Sequence, residues 1–341
     1  MRFRPPFCPY RTCPTRARGL PFTYYLAGTY RRRCDGRRVQ RFRCKSCRRR
    51  FSTQTFRLDH HYRLPHKDSA IFRALVSKVT HRQAARMLAV DRKSVHRRLR
   101  RWGPALERLH LAALSSHRGI LGACCLDELE TFEGDRRLQP VTVPVLVDRE
   151  RFFVVAVEVA TLPPRGNLKG RRARRKEELE ALHGPRKNRS NSAVRACLEI
   201  WAASSPGCRS PLLISDKKTS YPGLFRRAFP DRRRIHVRVH SKQERTRENP
   251  LFAANHSLAM LRDQVSRLVR RSWGASKLRH RLRDHLWVWV AWRNYVRRLT
   301  NQTPGLTPGM AVGAARRMGT IPELLRWRWP ERMRPGFLFA T

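Results

Sequence analysis

The stretch ILGACCLDELETF (120–132), with PVTVPVLV (140–147) and RFFVVAVEVA (151–160) close behind it, decides the fold. Short β-branched apolar runs in such succession predict an antiparallel meander. Further on, SAVRACLEIWAAS (192–204) has the spacing of a helix and PLLISD (211–216) that of a short buried strand. YPGLFRRAF (221–229) predicts a short helix and RIHVRVH (234–240) another strand. The basic stretch 166–192 between the two groups predicts a loop carrying one exposed, charged helix. The chain then predicts helix from about Asn255 to Leu299, before the Pro- and Gly-punctuated NQTPGLTPGMAVG (301–313). Strands interleaved with helices in this way imply a mixed α/β core. In its last helix Leu282, His285, Trp289, Trp292, Val296 and Leu299 form a stripe, which predicts core packing for the Trp-rich segment rather than base stacking.

Upstream of the meander, THRQAARMLAVDRKSVHRRLRRW (80–102) has the pattern of a helix-turn-helix. Ala84, Ala85 and Leu88 give the first helix an apolar face, and Ala89-Val90-Asp91 make the turn, with Ala89 where Gly is more usual. Val95, Leu99 and Trp102 bury the second helix at i, i+4, i+7 spacing. Arg92, Lys93, Ser94, His96, Arg97 and Arg100 then remain outside, available to base edges and phosphates in a major groove.

Residues 1–60 are rich in Cys, Arg and aromatics. Cys8 and Cys13 form C-x4-C, and Cys44 and Cys47 form C-x2-C inside RFRCKSCRRRFS. Four thiolates in two such pairs can close a tetrahedron around Zn²⁺. Phe42 and Phe51 flank the second pair, and the 30 residues between the pairs imply an inserted hairpin in which Cys34 lies as a competing ligand. Nine cysteines, four of them at metal spacing, favour a zinc site over disulfides and a reducing compartment.

Charge points to the partner. Lys and Arg number 75 against 25 Asp and Glu, a formal net charge of +50, which calls for a polyanion, nucleic acid being the natural one. Hydrophobic residues make up 40%, which excludes a disordered basic tail. No apolar run approaches the roughly 18 residues of a membrane span. The opening MRFRPPFCPY lacks an apolar signal-peptide core, so the expectation is a cytoplasmic, nucleoid-associated protein.

Where acids are rare, those ending apolar runs carry weight. Asp127 follows GACCL and Asp216 ends PLLISD, so two strand-end carboxylates can share a hard metal ion such as Mg²⁺ or Mn²⁺. The next helix should supply a third oxygen. Asn255 stands near its start, Leu258, Leu261, Val265 and Leu268 form its buried stripe, and Arg262 lies two turns after Asn255 on the same face.

The chain resembles bacterial insertion-sequence transposases of the DDE, RNase H-like superfamily that carry an N-terminal zinc ribbon and helix-turn-helix. The matching stretches are QRFRCKSCRRRFSTQTF (40–56), RQAARMLAV (82–90), LDELETFEG (126–134), SDKKTSYPGLFRRAFP (215–230), PLFAANHSLAMLRDQVSRLVRRSW (250–273) and TPGMAVG (307–313). The resemblance implies that Asp127 and Asp216 are the first two acids, that Asn255 takes the place of the third, usually Glu, and that Arg262 is the basic residue seven positions on. An amide oxygen binds Mg²⁺ without bringing charge. The alternatives are a third carboxylate from Glu248 or Glu244, or an inactive copy. Among Glu128, Glu130 and Glu133, Glu130 in DELETF is the expected support of the site.

The implied organisation is a zinc-ribbon domain (1–60), a helix-turn-helix DNA-binding domain (61–117), an RNase H-like catalytic domain (118–300) and a C-terminal tail (301–341). The implied activity is metal-dependent cleavage and strand transfer of double-stranded DNA at transposon ends, by a homo-oligomer. A catalytically inactive, sequence-specific DNA-binding regulator is the alternative, and a nucleoid-type structural protein without sequence preference is the third reading.

Overall fold

In the computed structural model, the described residues are 3–117, 121–240, 242–269, 274–326 and 338. Parts of the expectations lie outside them: 1–2 of the expected zinc-ribbon domain, 118–120 and 241 of the expected catalytic domain, 270–273 at the end of the stretch from Pro250, and 327–337 and 339–341 in the tail. The chain forms two compact units, one within residues 1–70 and 321–335, the other within 71–320 and 336–341.

The first unit opens with the short helix α1 (Pro14–Ala17) and builds a three-stranded antiparallel sheet from β1 (Tyr24–Arg31), β2 (Arg38–Cys44) and β3 (Arg50–Ser52). The β1–β2 hairpin is the insertion expected between the cysteine pairs. Its core is small: Phe42 and Phe51 stack at 5.5 Å beside buried Cys8, Cys13 and Cys44. Arg32 closes the hairpin by donating to Asp59 Oδ2 at 2.6 Å and to the Asp59 and Tyr62 carbonyls.

The second unit holds the helix-turn-helix. That motif follows α2 (Asp68–Leu75), whose last five residues belong to this unit, and comprises α3 (His81–Met87) and the 24-residue α4 (Arg92–Ser115). Thr80 and Gln83 cap α3 reciprocally, and Asp91 caps α4 through the Lys93 N–H at 2.7 Å. Val95, Leu99 and Trp102 are fully buried, as their spacing predicts. Ala89 takes φ +47°, the left-handed conformation that a glycine would adopt without strain.

The core is a six-stranded mixed sheet. β4 (Ala123–Phe132), β5 (Pro140–Asp148) and β6 (Val154–Val157) form the antiparallel meander, with β7 (Ala160–Thr161) also on β5. After the exposed helix α5 (Arg171–His183) and the half-buried α6 (Ser190–Ser204), β8 (Leu212–Asp216) joins β4 in parallel. Beyond α7 (Tyr221–Ala228), β9 (Ile235–Val239) adds parallel to β8. The order β6-β5-β4-β8-β9 is consistent with an RNase H-like fold.

α8 (Phe252–Gln264) and α9 (Arg279–Tyr295) supply the apolar cover of one face. Leu258, Leu261, Leu286 and Trp289 join Cys125, Val145 and Ile214 in one cluster. Of the helical stretch expected from about Asn255 to Leu299, the first helix is shorter than its stripe to Leu268 implies. α8 stops at Gln264, whose side chain accepts from Trp289 Nε1 at 2.8 Å and whose carbonyl accepts from the Lys78 N–H, so tertiary bonds replace the next helical turn. Val265 and Leu268 are still buried in that irregular segment. α9 ends at Tyr295, four residues short of Leu299, and its Trp289 is fully buried, in keeping with core packing.

α9 also meets α4 closely. A Cβ on Gly103 would stand 2.5 Å from the Asp284 Cα, so only glycine permits this crossing. Nearby, Arg283 ties Glu107 of α4 to Glu158 through bonds of 2.6–2.7 Å. α10 (Pro308–Ala311) follows in the second unit, and α11 (Ile321–Arg326) belongs to the first.

Candidate metal centres and nucleic-acid interface

In the first unit the four cysteines that the spacing singles out come together. All four Sγ atoms lie within 4.8 Å of one another, with Cys8–Cys47 and Cys13–Cys44 each at 3.7 Å. A tetrahedral ion with metal–sulfur bonds of about 2.3 Å needs sulfur–sulfur separations of about 3.8 Å. The cluster therefore fits a metal ion of that size. Burial opposes ionisation of Cys13, but the Thr15 hydroxyl and N–H pull its thiol down to about 6, readying it as a thiolate ligand. Cys34 lies in the hairpin turn, outside the quartet.

In the second unit, β4 pairs with β8 in parallel up to Leu126 opposite Ser215. The next step of that register sets Asp127 beside Asp216. Strand alternation puts Asp127 on the face of Cys125 and Leu129, and Asp216 on the face of Ile214, all three of these in the core under α8 and α9. Hydrogen bonds leave most of the carboxylate lone pairs open: Asp127 accepts from the Glu128 N–H at 2.7 Å and Asp216 from the Lys218 N–H at 3.0 Å. Burial pushes the Asp127 carboxyl up to about 6. The Glu128 N–H and Arg245 counter the rise, and the Asp216 and Glu128 charges add to it.

The start of α8 covers this face. Cys125 Sγ donates to the Pro250 carbonyl at 3.4 Å, and Ala253 and Ala254 pack in the same cluster. Asn255 follows directly, half-buried, and among the described residues its side-chain amide has no hydrogen-bond partner. Arg262, half-buried, lies two turns on. Glu244 and Glu248 are exposed, and among the described residues no His, Cys, Asp or Glu completes a three-ligand cluster with the two aspartates. The two aspartates leave carboxylate oxygens open on this face, hard donors of the kind that suit a divalent cation.

On the opposite face Glu128 is enclosed. Thr142 Oγ1 donates to Oε2 at 2.6 Å and Ser190 Oγ at 2.8 Å. Tyr221 OH donates to Oε1 at 2.8 Å, and Lys218 Nζ pairs with the same oxygen. Against the rise that burial alone would cause, Lys218, Thr142 and Ser190 hold this carboxylate below its ordinary range. Glu130, the sequence choice, pairs with Arg165 in an exposed position, and Glu133 is buried between Arg186 and Arg279. Glu128 is the acid adjoining the aspartates, and the polar period-two signal of DELE did not separate it from Glu130.

Of the seven residues expected to meet DNA, the six of the helix-turn-helix lie in the first three turns of α4, and Arg262 lies on α8. Arg92, Lys93, Arg97 and Arg100 are exposed, Ser94 and His96 half-buried. Among the described residues no helix is long and apolar enough to cross a membrane.

No protein-family model matches the chain, and no curated protein matches it. Among solved structures it is similar to the catalytic domain of the Mos1 mariner transposase at 15% identity, over 57% of this chain and 90% of that one, with a TM-score of 0.22.

Proposed function

We propose that the chain is a DNA transposase that binds transposon ends and catalyses metal-dependent strand cleavage and transfer. The observation that carries this reading is that Asp127 and Asp216 come side by side where the parallel β4–β8 pairing ends, Asp127 in the middle of β4 rather than at the strand end its sequence suggests and Asp216 at the end of β8, under the first turn of α8, which carries Asn255. In this reading Asp127, Asp216 and Asn255 hold Mg²⁺ or Mn²⁺, which when bound supplies the positive charge that activates a water or 3′-hydroxyl and stabilises the phosphoryl transition state. Asp127 and Asp216 bring the negative charge, and Asn255 brings an oxygen without charge. Arg262 lies on the same helix to hold DNA phosphate, and the exposed basic face of α4 positions the duplex. No covalent protein nucleophile is required. The four cysteines hold a structural zinc ion that lets the first unit fold.

The test is cleavage of duplexes carrying the DNA that flanks the gene, with Mg²⁺ or Mn²⁺ supplied. Wild type should cut and Asn255→Ala should not, whereas Asn255→Glu should retain or raise metal affinity. Full activity in Asn255→Ala removes that residue from the site. Binding without cleavage by wild type identifies a non-catalytic regulator. Metal analysis should give about one zinc per chain, lost on mutating Cys13 and kept on mutating Cys34.

A further inference from the structure

Within the second unit, away from the paired aspartates, a cleft of about 1160 Å³ runs between the helix-turn-helix and residues 266–269 and 274–281. His81 lines it from α3, Arg92 and His96 from α4, and Arg267, Lys277 and Arg281 from the other wall. Its charge is almost wholly positive. Asp284, the acid closest to it, is already engaged by Arg281 at 2.7 Å.

Arg267 is the informative residue. It is half-buried, yet among the described residues it forms no ion pair, and its one hydrogen bond is a long one to Ser276 Oγ at 3.3 Å. Its Nε is sealed from solvent without a partner, as are Nε of Arg281 and Nε2 of His81. Burial pushes the Arg267 guanidinium down to about 10, with Asp284 opposing the fall and Arg281 adding to it, and burial with the Arg267 charge pushes the His81 imidazole to about 2. An unpaired buried cation costs several kcal/mol, and an apolar side chain of similar volume would pack there without that penalty. Retaining arginine in such a place makes physical sense if an anion completes the site. The exposed Arg97 and Arg100 continue the basic surface along α4 beyond the cleft, so the anion belongs to an extended polymer.

We propose that this cleft seats a backbone phosphodiester of duplex DNA, gripped by Arg267 and Arg281 and completed by His81 and His96. The choice of DNA as the polyanion rests on the function proposed above. One phosphate held in this way would tie α4 to Arg267 and Arg281, adding a clamp from the core to the contacts of the helix-turn-helix.

The experiment compares full-length wild type with Arg267→Met, Arg97→Ala and His96→Ala, measuring thermal unfolding and affinity for a 30-base-pair duplex across a salt series. Arg267→Met should unfold at the same or a higher temperature, since it relieves a buried charge. It should bind DNA about tenfold more weakly, with a log K–log [salt] slope shallower by about 0.9, the loss of one phosphate contact. His96→Ala, at a half-exposed position, should weaken binding in the same direction. A lower unfolding temperature for Arg267→Met assigns that residue a structural role and overturns the proposal. Unchanged affinity and slope in Arg267→Met, with Arg97→Ala still impaired, overturns the cleft alone. No duplex binding by wild type overturns both this inference and the function it rests on. Tighter binding to single-stranded RNA, with the same dependence on Arg267, overturns the assignment to duplex DNA.

Discussion

Asp127 and Glu128 are neighbours on one strand and open onto opposite faces of the sheet. On the face under α8, Asp127 has one backbone N–H and a second carboxylate beside it, and burial raises its carboxyl to about 6. On the face under α6 and α7, Glu128 collects four side-chain donors and stays ionised. Both are largely buried acids, so burial cannot explain the contrast. The difference is whether the protein itself neutralises the charge. Where it does, the carboxylate holds α6, α7 and the loop after β8 together. Where it does not, charge is left for something from outside.

Substitutions should therefore act in opposite senses at the two residues. The largest effect is expected from Asp127→Asn, which should lower strand cleavage by roughly 10³-fold or more while leaving duplex affinity intact. Its unfolding temperature should not fall, because a desolvated carboxylate has been replaced by a neutral amide. A clear loss of stability would show Asp127 to be structural and erase the contrast. Glu128→Ala should instead cost about 3 kcal/mol in denaturant unfolding, since it strands Lys218 and three hydroxyl groups. A neutral result there would break the comparison from the other side.

Acid titration sharpens it further. The buried His110 bonds the Val155 carbonyl and Tyr295, and burial lowers it to about 4. The unfolded chain takes up that proton near pH 6.5 and the folded one does not, so stability should fall between 6.5 and about 4, on the order of 1–3 kcal/mol. Glu128 has its carboxyl depressed, so its contribution is present above the unfolded value and is lost as pH drops through the lower, folded one. Urea unfolding across pH should show two acid-labile windows in wild type. Glu128→Gln should narrow the lower window, to which the depressed Asp59 also contributes, and keep the upper. The smallest effect is expected for Thr142→Val, which removes one of the four donors with little change of shape. About 1 kcal/mol is the anticipated loss, and none at all would mean the remaining three donors suffice.

The sequence carries one side of this contrast better than the other. Asp127 and Asp216 are visible because each ends an apolar run, and the meander follows from β-branched runs whose register is set by burial. The cysteine quartet is equally plain, since the spacing of each pair limits where its sulfurs can go. Glu128 is not visible, because its donors lie 14, 62, 90 and 93 residues away and meet it only when β5, α6, the loop after β8 and α7 have packed. The cleft was hidden for the same reason. Arg267 reads as one arginine among many until the fold sets it against His81. The break after Gln264 was missed because helical periodicity continues in the residues while the backbone bonds go elsewhere.

Gly103 carries a consequence of its own. It lets α4 cross α9 at backbone contact, so the helix whose first turns carry the proposed DNA contacts is the same one anchored in the core. Its 24 residues span about 36 Å at 1.5 Å each, close to the roughly 34–36 Å of one turn of B-DNA. A helix fixed in this way acts as a ruler. The count of base pairs from the recognised sequence to the severed bond would be set by covalent length, and a Gly103 variant that let α4 lift away would cut at scattered positions.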